Sequence, residues 1–208
     1  MINILGLAVG MGCSILILLW VQNEKSYDRF HAHANEIYRI VVKATDDFQA
    51  AVNAAGMPAE LKARIPVIKN SVRLSHSVSS VFEVGDKKVE EKNGFYADTT
   101  FFQVFSFPLI MGDIRSVLSG PGNIVLSESM AKKYFGDVSP IGKTIHLNNE
   151  SEKLVTGVFA DIPENSHLRF DYLMPMTAIV ATDNDLVTNT WDNFNFYSYL
   201  LLDDHFKA

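Results

Sequence analysis

Residues Ile2–Val21 read INILGLAVGMGCSILILLWV, a run with no Asp, Glu, Lys, Arg or His in which only Asn3 and Ser14 are clearly polar. At 1.5 Å per residue, a helix of about 20 such residues reaches across a bilayer's hydrocarbon core. Gly6, Gly10 and Gly12 would each weaken a helix in water by about 1 kcal/mol. In lipid they are tolerated, because the helix already bonds every backbone group internally. Trp20 closes the run and Tyr27 follows it, as amphipathic rings at headgroup level do. Residues 1–22 are therefore predicted to form a transmembrane helix.

Other readings of the run fit less well. A cleaved signal peptide wants a basic leader and a small-residue site directly after its core. No basic residue comes first, and Ala32-His33-Ala34 lies well past the apolar stretch. Cys13 follows Gly10-Met11-Gly12, a poor lipoprotein triplet. Gly6, Gly10 and Ser14 recur at i, i+4 and i+8, a smooth stripe that admits a second helix closely. Orientation is not legible from charge, since Lys25 and Arg29 are offset by Glu24 and Asp28.

Outward from the run, 23–35 is polar with Tyr27 and Phe30 at i and i+3, and reads as the helix continuing into water as a short stalk. Glu36–Val42 is β-branched and aromatic, a strand pattern. Thr45–Gly56 is linker-like. Pro58 suits a first helical turn, Leu61 and Ile65 share a face, Pro66 stops the helix, and Val67–Leu74 is the next strand. Together these predict a β-α-β unit. Val81–Glu91 reads as a hairpin turning at Gly85-Asp86. Gly94–Ala97 is a short strand and Thr99–Phe105 a helix with Phe101, Phe102 and Phe105 on one face. Asn123–Leu126 is a strand; Ser127 then caps a helix to Phe135, with Glu128 early, Lys132 and Lys133 late, and Gly136 at C′. Thr144–Leu147, Leu154–Ala160, Phe170–Met176 and Phe196–Leu202 complete the strands. Strands and helices mixed without strict alternation give an α+β (mixed α/β) class.

Composition narrows the chemistry. The 208 residues carry a net charge of −6 without a Lys/Arg cluster, which argues against nucleic-acid binding. A single cysteine allows no intrachain disulfide. Gly136-Asp-Val-Ser-Pro-Ile-Gly142-Lys143-Thr144 superficially resembles a phosphate loop. It has five residues between its glycines instead of four, and it feeds a strand rather than a helix. Ser129-Met-Ala-Lys132 matches S-x-x-K, but the companion motifs of that acylase chemistry do not occur. His31 and His33, two apart on a helix, point away from each other, so solvated histidines are expected there. Asp161, Glu164, His167 and Asp171 form a polar cluster around Pro163 that fits a capped turn as well as a cation. These residues predict no catalytic, cofactor or metal site.

INILGLAVGM and LLWVQNEKSYDRFHAHANEIYRI resemble the first membrane helix and stalk of MacB/FtsX-type ABC-transporter permeases. The likeness continues, in order, through FYADTTFFQVFSFPLIMGD, NIVLSESMAKKYFG, SPIGKTI, VTGVFADIPENSHLRFDYLMPM and the Trp191–Leu202 stretch. It implies a MacB-like periplasmic core domain. Residues 36–80 and 150–208 would form a porter-like part with β-α-β units, and 81–149 an inserted, smaller, sabre-like part. Family members have a basic amphipathic segment before this helix and further membrane helices after the domain, so the chain is expected to be a piece of a longer protein.

Further implications follow from the resemblance. The chain itself would hold no cofactor, and ATP would be bound by a separate cytoplasmic ABC ATPase subunit. A second permease half or a homodimer partner would complete the unit, with a periplasmic adaptor, a cargo peptide or a lipoprotein as further partners. The location would be the bacterial inner membrane, with the main domain in the periplasm. Motion driven by the ATPase would reach that domain for export, efflux or lipoprotein handling. Gly6, Gly10 and Ser14 would pack helices, and Tyr27, Asp28 and Phe30 would form the stalk joint that passes motion on. Two rivals are a membrane-anchored periplasmic sensor or substrate-binding module without a motor, and an anchored hydrolase using Ser129 or a metal at the Asp161 cluster.

Overall fold

The structure, a computed structural model, describes residues 2–43, 45, 49–188 and 191–204. Met1, part of the Thr45–Gly56 stretch and the last residues of the expected porter-like part lie outside these. Helix α1 runs Ile2–Lys25, apolar and long enough to cross a bilayer, with none of its apolar span buried among the described residues.

Strand β1 (Ile37–Arg39) and strand β4 (Ile68–Leu74) flank strand β12 (Tyr197–Leu202), which pairs antiparallel with both. β1 and β4 are thus parallel with one strand between them. Helix α2 (Met57–Arg64) connects them, which is a split β-α-β unit. The short hairpin β2 (Val42–Lys43) and β3 (Gln49–Ala50) lies on the same connection. Pro58 sits buried in the first turn of α2 as predicted. The expected Leu61–Ile65 face is corrected at its second member. Ile65 leaves the helix in an extended conformation before Pro66 and stays 40% exposed.

Strand β6 (Lys87–Ala97) continues the sheet from β4. It turns back from β5 (Val78–Val84) at Gly85-Asp86, where Gly85 has φ +57°. The expected strand Gly94–Ala97 is the far end of this longer strand. Beyond β6 the order is β11 (Tyr172–Pro175), β8 (Asn123–Ser127), β10 (Ser151–Phe159), β9 (Thr144–Leu147) and β5. β5 pairs with both β9 and β6, so β6, β11, β8, β10, β9 and β5 close into a ring. β7 (Leu109–Met111) pairs with β10 off this path. Hydrogen bonds cross both ends of the expected insert, through β5–β6 and through the β9–β10 hairpin.

Helix α4 (Glu128–Phe135) follows β8 directly. Ser127 Oγ accepts the Met130 N–H at 3.2 Å, and Gly136 at φ +63° ends the helix. Met130, Ala131 and Tyr134 of α4 join Phe82, Ile124, Leu126, Ile145 and Tyr172 in the ring's apolar cluster. A second cluster lies nearer α1. Its centre is Phe101 of helix α3 (Phe101–Val104), which meets Phe102, Phe105, Phe107 and Phe170 at centroid distances of 5.1 to 5.7 Å. The small helix α5 (Asn184–Thr188) precedes β12.

Candidate functional site

The stalk does not continue as a helix. α1 ends at Lys25, and 26–36 is a chain of hydrogen-bonded turns: Ser26 N–H to Asn23 O, Arg29 to Ser26, His31 to Asp28, Ala34 to His31 and Glu36 to His33. Asp28 takes φ +57°, a left-handed conformation that a helix cannot contain and that Asp tolerates better than most residues. The polar run from Gln22 to Asp28 offers no apolar face to hold a longer helix against the domain.

The turn is fastened to the loop 163–168. Asp28 N–H donates to Asn165 O at 2.9 Å, and Asn165 Nδ2 donates back to Ser26 O at 3.0 Å. The Asp28 carboxylate accepts the His167 N–H at 3.0 Å and meets His167 Nδ1 at 2.8 Å. His167 Nε2 lies 2.9 Å from Tyr199 Oη on β12. With Nδ1 donating to Asp28, Nε2 accepts the tyrosine hydroxyl, and a polar relay runs from the end of α1 to β12, one strand in from the sheet edge. Burial pushes the Tyr199 hydroxyl up to about 12, so it stays protonated. Asp28 and His167 are each a third exposed, so their pairing is worth about 1 kcal/mol, less than a fully buried pair.

A second fastening lies beside the first. Ser106 N–H donates to His31 Nδ1 at 3.1 Å, and Ala32 N–H donates to Ser106 Oγ at 3.1 Å. His31 is 5% exposed and packs edge-on against Phe107 at 4.9 Å. This corrects the expectation of a solvated His31: burial holds it neutral, its pKa lowered to about 4. His33 is exposed and pairs with Glu36 at 3.0 Å. Asp28, His31, Arg39, Phe105, His167 and Tyr199 surround a pocket of about 340 Å³ at this joint.

Of the stalk residues named from sequence, Asp28 is brought into the joint and Phe30 packs on the aromatic cluster, 5.6 Å from Phe107. Tyr27 is 42% exposed. At Gly6 and Gly10 on α1 an added Cβ would meet open space among the described residues, and Ser14 Oγ donates to Gly10 O at 2.9 Å within the helix. The Asp161 group is dispersed. Asp161 receives the N–H and hydroxyl of Ser129, Asp171 receives Asn93, Glu164 O receives Arg169, and His167 turns to Asp28. Among the described residues, no His, Cys, Asp and Glu side chains cluster as metal ligands do. Arg39, Asn165 and Tyr199 were not foreseen, because only the pairing of β1 with β12 and the return of the 163–168 loop bring them to α1.

An apolar helix joined through a polar turn to a mixed α+β domain defines the class: a globular domain carried on an apolar helix. The chain belongs to the MacB-like periplasmic core domain family, which matches residues 1–204, and is thus a periplasmic domain of the ABC-transporter permease type. Three solved structures are similar. A domain of a permease protein from Porphyromonas gingivalis has TM-score 0.73 at 24% identity, covering 85% of this chain and 79% of that one. The periplasmic region of MacB from Actinobacillus actinomycetemcomitans has TM-score 0.59 at 18% identity, covering 83% and 75%. The extracellular domain of the noncanonic ABC-type transporter YknZ from Gram-positive bacteria has TM-score 0.55 at 16% identity, covering 82% and 83%. A search of curated proteins finds no match.

Proposed function

We propose that this domain is mechanically coupled to an ABC transporter: α1 crosses the inner membrane, and the 26–36 joint carries ATPase-driven movement of α1 into the periplasmic sheet. The observation that supports this is the double fastening. Asp28 bonds the 163–168 loop and His31 with Ala32 bonds Ser106, so a displaced α1 pulls on two loops and, through His167 and Tyr199, on β12. Bonds worth about 1 kcal/mol each can be made and broken in every cycle, whereas a buried apolar joint would resist by several.

In this reading ATP belongs to a separate cytoplasmic subunit. Gly6, Gly10 and Ser14 face a second membrane helix, from a partner half or a second copy. The work is export, efflux or lipoprotein handling, with an adaptor or cargo engaging the periplasmic side. The split β-α-β part is porter-like, and 81–149 supplies a sabre-like part.

The test uses the whole permease with its ATPase in cells, at matched membrane levels. The triple change Tyr27→Ala, Asp28→Ala and Phe30→Ala is compared with Asp28→Gly, which keeps the left-handed turn and removes only the carboxylate. Export lost in both, with ATPase binding retained, is the expected result. Unchanged export removes these residues from coupling. If deleting the domain also leaves export intact, a passive sensor or binding module is the better reading.

A further inference from the structure

We propose that the pocket at the α1–domain joint binds a phosphate group, with Arg39 as the cation and His31 Nε2–H as a buried donor. His31 Nδ1 accepts the Ser106 amide, so the ring hydrogen sits on Nε2. That nitrogen is buried and has no partner among the described residues. A buried donor left unpaired is destabilising; His31 lines the pocket, and a small turn of its ring would bring Nε2–H to an acceptor bound there.

Arg39 supplies the charge. Its guanidinium lies 5.0 Å from the Tyr197 ring centre and 5.9 Å from that of Tyr199, and it donates to Ala51 O at 3.3 Å. Among the described residues it pairs with no carboxylate, so the planar fork remains available to an oxyanion. Among the described residues Asp28 is the one acid lining the pocket, and both its oxygens are committed to His167. Ile37 and Phe105 give the pocket apolar wall on which ester carbons could lie.

The place suggests the source. Asp28 follows the end of α1 by three residues. If α1 spans the membrane, which this part of the inference takes from the proposed function, the pocket opens at headgroup level. A lipid phosphodiester and free phosphate share the same chemistry.

The 208-residue protein in detergent is titrated calorimetrically with inorganic phosphate and with dihexanoylphosphatidylglycerol. Saturable binding of at least one probe is expected, weakened about tenfold or more in Arg39→Gln and again in His31→Phe. Arg39 is exposed, so its variant should keep the wild-type circular dichroism. Binding of the lipid alone supports a headgroup site; comparable binding of phosphate supports a free anion site. No saturable binding of either probe, or undiminished binding in a folded Arg39→Gln, overturns the proposal. Flotation with vesicles tests α1 separately. Flotation without a phosphate site leaves the anchor and removes the pocket; a phosphate site without flotation keeps the pocket and removes the anchor.

Discussion

The six-strand ring and the three-strand wing of β1, β12 and β4 are parts of one sheet, yet they are held together differently. In the ring every strand has at least two neighbours, and its interior is largely apolar, with tyrosine hydroxyls and the buried Ser80 among the exceptions. Gly94 shows how tightly it closes: a Cβ there would lie 2.2 Å from the Tyr172 ring, which pairs with it in register. The wing ends in β1, a three-residue edge strand, and meets α1 through carboxylate, imidazole and hydroxyl groups that are partly wet. Apolar closure resists deformation because interiors pack at crystal-like density. The partly wet Asp28–His167 pair can exchange its bonds with water at little cost. The contrast places stiffness in the ring and compliance at the joint.

The comparison breaks most severely at Gly94. Gly94→Ala forces Tyr172 from a site where its hydroxyl lies 3.2 Å from Val78 O and 3.3 Å from Glu91 O. The expected loss of unfolding free energy is about 3 kcal/mol, read from the urea midpoint. A change under about 1 kcal/mol would show that the ring yields as the joint does.

His31 tests the joint through pH. The unfolded side chain takes up a proton near 6.5, while the folded one resists until about 4. Between these values the unfolded state binds more protons, so stability falls as pH drops from about 6.5 to 4 and levels off below. The effect is about 3 kcal/mol, measured as the difference in pH dependence between wild type and His31→Gln. Equal slopes would mean that His31 becomes solvated, and that the joint opens without unfolding.

The smallest effect falls on α4, where the ring meets a polar loop. Asp161 accepts the Ser129 hydroxyl and, at 3.0 Å, the Ser129 N–H at the positive helix end. Asp161→Asn should cost about 1 kcal/mol in thermal unfolding. Ser129→Ala should cost a similar amount or less. Transport in the full permease should be unchanged by Ser129→Ala; its loss would revive a nucleophilic role for that serine.

Much of this was legible locally. The length and apolarity of Ile2–Val21, the Gly85-Asp86 turn, and the Ser127 cap with its Gly136 stop all rest on neighbours in sequence. They follow from backbone preferences and hydrophobic periodicity, which need no tertiary contact. The family likeness was legible for the same reason, since its phrases keep their order along the chain. The stalk was misread because its polar residues suit a solvated helix equally well. Only the partners waiting at Asn165, Ser106 and His167 make the turn at Asp28 worth its left-handed backbone. The ring, the relay to Tyr199 and the pocket beside Arg39 were decided by tertiary structure alone. Each joins residues far apart in the chain, and no local propensity encodes which distant donor will meet a given acceptor.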